Sequence, residues 1–221
     1  MGIIIHSARG DMDFLPPDRS YPSGFGLHRC HFDDQAQAEL IKTVQKAVTV
    51  APWFQPTMPR TGQPLSVRMS NFGPLGWVAD HKGYRYQVHH PETGAPWPPI
   101  PDLLLEAWHA LTGCAVPPDC CLINWYQGTA KMGLHVDKDE ADYAFPVVSV
   151  SLGDDAVFVL GQTMRKGPYR RMMVKSGDVC VLAGAARLRY HGVDRIVPGS
   201  NPIIPGGGRW NLTLRRARPA P

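Results

Sequence analysis

The sequence has no run near the roughly 20 consecutive apolar residues that a membrane-crossing helix needs. Its opening, MGIIIHSARGD, lacks both the basic segment and the longer apolar core of a secretory signal. Residue six is His6, which makes a poor myristoylation signal. Cysteines are few: Cys30, Cys114, Cys120, Cys121 and Cys180 form no CxxC pair, and their odd number argues against a disulfide framework or a structural zinc site. No internal repeat and no low-complexity linker divides the chain. Neither sign of charge dominates, with 23 basic against 19 acidic residues and a formal net charge of +4, a mild lean toward polyanions. Together these absences predict a cytoplasmic chain with no membrane association.

Turn formers are abundant. The 221 residues include 22 Gly and 22 Pro, about a fifth of the chain, where roughly 12% is usual. That excess argues against a helical bundle and for many short strands joined by turns. Residues 1–32 read as an irregular arm. Asp33 and Asp34 offer an N-cap for a helix through about Val48, with Ala38, Leu40, Ile41, Val44 and Val48 near helical spacing. Asp102 is the expected cap of a second helix through about Leu111, with Leu104, Leu105, Trp108 and Leu111 on its apolar face. Ser66–Ser70 and Tyr84–Val88 read as short strands upstream. From residue 121 strands follow one another: Cys121–Tyr126, Val147–Leu152, Ala156–Leu160, Arg171–Val174, Asp178–Leu182 and Trp210–Arg215. Strand succession without intervening helices predicts an α+β, mainly β fold, a two-layer sandwich or jelly roll with two upstream helices over one sheet face.

Two segments carry chemistry. In Leu134-His135-Val136-Asp137, His and Asp at i and i+2 of a strand point to one face. His191 lies 56 residues beyond His135 and supplies a third donor. Two His and one carboxylate form the facial triad of non-haem Fe(II) oxygenases. An isolated HxD tripeptide is common on exposed turns, so the triad alone is weak. The last strand adds weight: Arg209, Asn211, Thr213 and Arg215 share one face, Trp210, Leu212 and Leu214 the other. Two arginines six residues apart span about 20 Å along a strand and can grip both ends of a small dicarboxylate. Asn124 and Tyr126, another i, i+2 pair, could bond the same ligand.

With these motifs in place, CLINWYQGTAKMGLHVDKDE (121–140), VVSVSLGDDAVFVLG (147–161), SGDVCVLAGAARLRYHGVDRI (176–196) and RWNLTLRR (209–216) resemble the AlkB family, in particular its bacterial repair branch. The likeness continues through GPLGWVADHKGYRY (73–86) and PWPPIP (96–101), about two-thirds of the chain. It implies a double-stranded β-helix over 121–216, preceded in the same domain, 1–221, by an arm, helices and nucleotide-recognition region over 1–120. It implies Fe(II), with 2-oxoglutarate and O2 as cosubstrates. Iron would be held by His135, Asp137 and His191. Arg209, Asn124 and Tyr126 would hold the distal carboxylate of 2-oxoglutarate, and Arg215 with Asn211 the chelating end. Trp77 and Tyr84 would line the base pocket with Tyr86 on the same strand face, Asp139 would face the base edge, and Arg165 would contact substrate. Leu182 stands where the bacterial pattern has a bulkier aromatic.

The implied activity is oxidative demethylation of N-alkylated bases such as 1-methyladenine and 3-methylcytosine in single- or double-stranded DNA, with RNA left open and no obligate protein partner. Decarboxylation of 2-oxoglutarate to succinate and CO2 accompanies hydroxylation of the N-methyl group, and formaldehyde leaves. Such bases are cationic, so Asp139 and Glu140 would favour them over neutral bases, and Trp77 and Tyr84 would stack on them. The methyl group blocks pairing, which lowers the cost of flipping the base out. Arg165, Lys166, Arg170 and Arg171, with Lys131, are candidates for phosphate contacts. Two other readings stay open at this level: the same oxygenase chemistry on tRNA or a small molecule, and a catalytically silent nucleic-acid-binding β-sandwich.

Overall fold

A computed structural model describes residues 21–219; the opening segment judged not to be a signal lies outside them. A short strand, β1 (Phe25–His28), precedes helix α1 (Asp34–Val50). The Asp33 carboxylate caps α1 by accepting from the Ala36 N–H at 2.8 Å. Leu40, Ile41, Val44 and Ala47 form its buried stripe. Strands β2 (Arg68–Phe72), β3 (Gly76–Asp80) and β4 (Gly83–Gln87) follow, then α2 (Asp102–Thr112). Pro101, not Asp102, is the N-cap of α2, so Asp102 sits in the first turn, where its charge suits the helix dipole. The remaining strands are β5 (Cys120–Tyr126), β6 (Met132–His135), β7 (Val147–Gly153), β8 (Ala156–Leu160), β9 (Arg170–Val174), β10 (Val179–Leu182), β11 (His191–Ile196) and β12 (Arg209–Arg215).

Among the described residues these strands build a six-stranded antiparallel sheet, β1-β10-β7-β12-β5-β2, a four-stranded sheet, β6-β11-β8-β9, and the β3-β4 hairpin. The main sheet has two buried faces. Cys121, Ile123, Val148, Val150, Val179, Val181, Leu212 and Leu214 point outward under Leu40, Val44, Leu104 and Trp108 of the helices. Residues of opposite parity, among them Leu122, Val147, Cys180 and Leu182, face the smaller sheet and meet Phe158, Leu160 and Val193. The expected jelly roll with helices over one sheet is therefore what forms.

Three differences from the sequence reading have physical reasons. The stretch taken as an irregular arm contains β1, only four residues long, ordered by pairing with β10 (Phe25 opposite Leu182). Strands β3 and β11 carry too many polar and glycine residues to show a clean alternation; β3 is defined by its hairpin with β4, β11 by its place between β6 and β8. Strand β6 ends at His135, so Asp137 lies in the loop that follows and is not brought round by the pleat. The upstream region also contributes β1 and β2 to the main sheet.

Beside His191, which pairs with His135 across β11 and β6, Gly192 has no space for a side chain. A Cβ there would lie 2.5 Å from the Met132 carbonyl oxygen and 2.9 Å from that of Gly133. Gly192→Ala should force the two strands apart. Overpacking of this kind costs about 1–3 kcal/mol, so we expect the thermal midpoint to fall by about 3–9 °C; an unchanged midpoint in calorimetry would show that the strands do not need this close approach.

Candidate active site

The two sheets enclose a cavity of about 770 Å³. On one wall, His135 at the end of β6 and His191 at the start of β11 have ring centroids 4.6 Å apart. Asp137 reaches the same point from the loop: its Oδ1 is 3.7 Å from His135 Nε2 and its Oδ2 3.5 Å from His191 Nε2. All three donor atoms lie within 4.8 Å of one another. Each imidazole is turned by a backbone carbonyl, Gly133 O at 2.8 Å from His135 Nδ1 and Arg189 O at 3.0 Å from His191 Nδ1. Both Nε2 atoms are thereby left toward the cavity, the orientation a metal-binding histidine requires.

Protonation also favours ligation. Burial, reinforced by neighbouring His191, holds the His135 imidazole down at about 4, so it is neutral at pH 7. Burial opposes the charge on Asp137, but Arg215 and then His191 and His135 outweigh it, and its carboxyl stays well below the usual carboxylate range. Asp137 Oδ2 is buried without a hydrogen-bond partner among the described residues. Three donors on adjacent octahedral corners, at bonds of about 2.1 Å, would lie about 3 Å apart. The observed separations are slightly wider, and the donor set fits a divalent cation with open positions on its other side.

The opposite wall is the inner face of the main sheet. Strand β12 lies between β5 and β7, and its register sets Arg209 opposite Tyr126 and Asn211 opposite Asn124. All four line the cavity. Arg209 is 2% exposed and donates from Nη2 to Ser151 Oγ at 2.8 Å, while its Nε and Nη1 have no partner among the described residues. Burial pulls this guanidinium below its ordinary value. Burial raises the Tyr126 hydroxyl to about 12, keeping it a donor, while Asn124, whose Oδ1 is an acceptor left unsatisfied among the described residues, can offer a carboxylate only its amide N–H groups. A carboxylate placed here would meet unpaired donors, so the residues fit one end of a small dicarboxylate.

Arg215 and Asn211 are engaged differently. Arg215 donates from Nη2 to Asp137 Oδ1 at 2.8 Å and lies 3.7 Å from Glu140 Oε1 through Nε. Asn211 donates from Nδ2 to Ser149 Oγ and Val150 O at 2.7 and 3.0 Å and accepts from Thr213 Oγ1. Sequence reasoning missed Ser149 and Ser151, the partners of Asn211 and Arg209. The signal was present: two serines at i, i+2 in VVSVSLG share one face of an otherwise apolar strand.

At the mouth, Trp77 and Tyr84 from the β3-β4 hairpin stack at 5.6 Å with 17° between their planes. The Trp77 indole N–H donates to Asp139 Oδ2 at 2.8 Å, tying the hairpin to the loop after Asp137. Arg165 is exposed at the rim and Leu182 is part of the inner wall. Tyr86, grouped with Tyr84 by strand parity, is not a lining residue: its hydroxyl donates to Glu140 behind the wall. Glu140, read as a second acid for the base, is buried there too. Nor do the basic residues of the β8-β9 hairpin form one phosphate-ready cluster. Arg171 pairs with Asp194 at 3.2 Å, and Arg170 lies over the Tyr21 ring at 4.7 Å. Lys166 and Lys131 are exposed.

Residues 24–215 match the family model of the 2OG-Fe(II) oxygenase superfamily. An "Alpha-ketoglutarate-dependent dioxygenase AlkB homolog" from Caulobacter vibrioides is 50% identical over 214 residues, covering 97% of this chain and 96% of its own. The Escherichia coli "Alpha-ketoglutarate-dependent dioxygenase AlkB" is 39% identical over 194 residues, covering 84% and 87%. The solved structure of OsALKBH1 superposes with a TM-score of 0.74 at 31% identity, covering 89% of this chain and 98% of that one. With the His-Asp-His cluster and the unpaired arginine facing one cavity, the chain belongs to the AlkB family of the 2OG-Fe(II) oxygenase superfamily and is an Fe(II)- and 2-oxoglutarate-dependent dioxygenase.

Proposed function

We propose that this dioxygenase removes N-alkyl groups from nucleobases such as 1-methyladenine and 3-methylcytosine in DNA, as direct-reversal repair. The observation that carries this reading is one cavity joining the triad, a buried guanidinium without a counter-ion, and a stacked aromatic pair beside a carboxylate at the mouth. His135, Asp137 and His191 hold Fe(II). Arg209, with Asn124 and Tyr126, takes the distal carboxylate of 2-oxoglutarate. Arg215 keeps Asp137 ionised and oriented, and Asn211 braces the same strand against β7. When bound, iron, 2-oxoglutarate and O2 supply the oxidation, in which cosubstrate goes to succinate and CO2, the N-methyl carbon gains a hydroxyl, and formaldehyde leaves.

The chain's own task is placement. Trp77 and Tyr84 offer flat faces to an extruded base, and Asp139 places negative charge beside it. A base methylated on a Watson–Crick nitrogen is cationic, so a cation–π term and the carboxylate both favour it over a neutral base. Arg165 at the rim supports a phosphate contact. On this reading 1–120 supplies recognition and 121–216 the iron and cosubstrate core of one catalytic unit. Single-stranded and duplex DNA both remain substrates, RNA is a further one, and no partner protein is required. The five free cysteines suit a reducing cytoplasm.

Methylated single-stranded DNA, duplex DNA and RNA oligonucleotides, assayed for formaldehyde and product mass, test the reading. Repair of the DNA oligonucleotides is expected; formaldehyde released only from a modified tRNA would overturn it. Asp137→Ala should abolish release and the weak visible band that Fe(II) and 2-oxoglutarate give under anaerobic conditions, and retention of either would remove Asp137 from the ligand set. Arg209→Ala forfeits hydrogen bonds to a charged group worth about 1.5–3 kcal/mol, so the 2-oxoglutarate requirement should rise about ten- to a hundredfold with the fold intact by circular dichroism. An unchanged requirement would remove Arg209 from that site. Asp139→Asn should narrow the preference for 1-methyladenine over the uncharged 1-methylguanine, measured as the ratio of kcat/KM values; an unaltered ratio would show that the carboxylate does not read base charge.

A further inference from the structure

Arg187 is 2% exposed, has no place among the iron or cosubstrate contacts, and does not line the cavity. It follows the short 3-10 turn Gly184–Ala186 and precedes His191 by four residues. Its guanidinium reaches the irregular loop between β6 and β7 at three points. Nη1 donates to the Asp137 carbonyl at 2.7 Å, Nε to the Phe145 carbonyl at 2.8 Å, and Nη2 to Glu140 Oε2 at 3.1 Å. The Tyr143 ring covers it at 5.6 Å. One side chain thus bridges the beginning, middle and end of the loop that starts at Asp137 and carries Asp139.

Among the described residues the loop has no strand partner to fix it. Besides the contacts of Trp77 with Asp139, Tyr86 with Glu140 and Arg215 with Asp137 and Glu140, it is tied by the Tyr143 hydroxyl donating to Lys138 O at 2.9 Å and the Ala141 N–H donating to Ala217 O at 3.0 Å. Only a planar fork with donors on three nitrogens can meet three acceptors in these directions; an ammonium on a shorter stem cannot. The buried cation is balanced by Glu140, 1% exposed at its side chain, which also accepts from Tyr86 and faces Arg215. Arg187 therefore joins the segment that supplies His191 to the loop that supplies Asp137, without touching either donor atom.

We propose that Arg187 is a positioning residue for the triad, with Glu140 as its counter-charge: it fixes Asp137 relative to His191 and, through the same loop, fixes Asp139 against Trp77. This rests on the reading of His135, Asp137 and His191 as metal ligands. A merely structural arginine would lower stability and leave metal affinity of the folded protein alone.

The test uses the full chain stripped of metal and titrated anaerobically with Co(II), read by visible absorption and tryptophan fluorescence. Arg187→Lys should fold and bind Co(II) about ten- to a hundredfold more weakly, the range seen when an outer partner of a metal ligand is lost. Its Co(II) spectrum should shift, and formaldehyde formed per succinate should fall. Asp154→Asn is the control for a structural loss: Asp154 is a buried anchor accepting from Gly199 and Asn201 N–H groups, and its loss should lower the melting temperature with Co(II) affinity unmoved. A folded Arg187→Lys protein with wild-type Co(II) affinity and spectrum would overturn the proposal. If that variant does not fold, Glu140→Gln, which keeps both carbonyl contacts of Arg187, should weaken Co(II) binding about three- to tenfold, and no change there would overturn it equally. Wild-type protein that binds no Co(II), or an Asp137→Ala protein that binds it normally, would instead sink the triad reading itself.

Discussion

Two guanidinium groups are buried on the central strand of the main sheet, and each needs negative charge within reach. An uncompensated ion in such a place is expensive, because the protein interior replaces little of the hydration it loses. Arg215 meets the requirement within the chain, through Asp137 and Glu140. Arg209 does not: among the described residues one serine hydroxyl is its hydrogen-bond partner, and two of its nitrogens have none. The fold thus holds one satisfied and one unsatisfied cation on the same face of the same strand. The satisfied one holds a metal ligand in its ionised form. The unsatisfied one presents a demand that a carboxylate from outside the chain can meet, and binding there stabilises the folded state by the same free energy.

The two helices bear on that arrangement from the other face of the sheet. With α1 and α2 over its outer face, the main sheet is buried on both sides. The inner face can then be polar along β12, because the outer face carries the apolar packing. In such surroundings each remaining hydrogen bond is electrostatically stronger than in water. It also becomes directional, which is why Ser149 and Ser151 matter. They hold Asn211 and Arg209 to single orientations across the β7-β12 register.

Much of this was legible in the sequence because period-two patterning survives translation into structure. Arg209, Asn211, Thr213 and Arg215 had to share a face, and Asn124 and Tyr126 had to share another; the antiparallel register then set them opposite each other. The limits arise where contact replaces pattern. Strand β1 has too few residues to show a period and exists through β10. The pleat rule put His135 and Asp137 on one strand face, yet the strand stops at His135 and a loop delivers Asp137. The same rule grouped Tyr86 with Tyr84, but the hairpin twists Tyr86 under the wall onto Glu140. Glu140 looked like surface acid in a KDE turn; two arginines from distant segments bury it. No local signal in RLRYH distinguishes Arg187, which is clamped to the loop, from Arg189, which bonds Gly161 and Gln162.

Charge counting shows why metal and cosubstrate belong to the same cavity. Around it the chain buries Arg187, Arg209 and Arg215 against Asp137 and Glu140, an excess of one positive charge among these five side chains. A divalent cation alone would raise that excess to three, and a dicarboxylate alone would reverse its sign. Together they leave it where it began. Each therefore lowers the electrostatic cost of the other, and by linkage the coupling is reciprocal. On the proposed reading the cationic lesion is answered separately, by Asp139, which is exposed at the mouth and accepts from the Trp77 indole N–H. The net charge of the whole chain, mild and positive, thus says little about the site. On the proposed reading, three separate local balances matter there: Asp137 with Arg215, the cosubstrate carboxylate with Arg209, and the methylated base with Asp139.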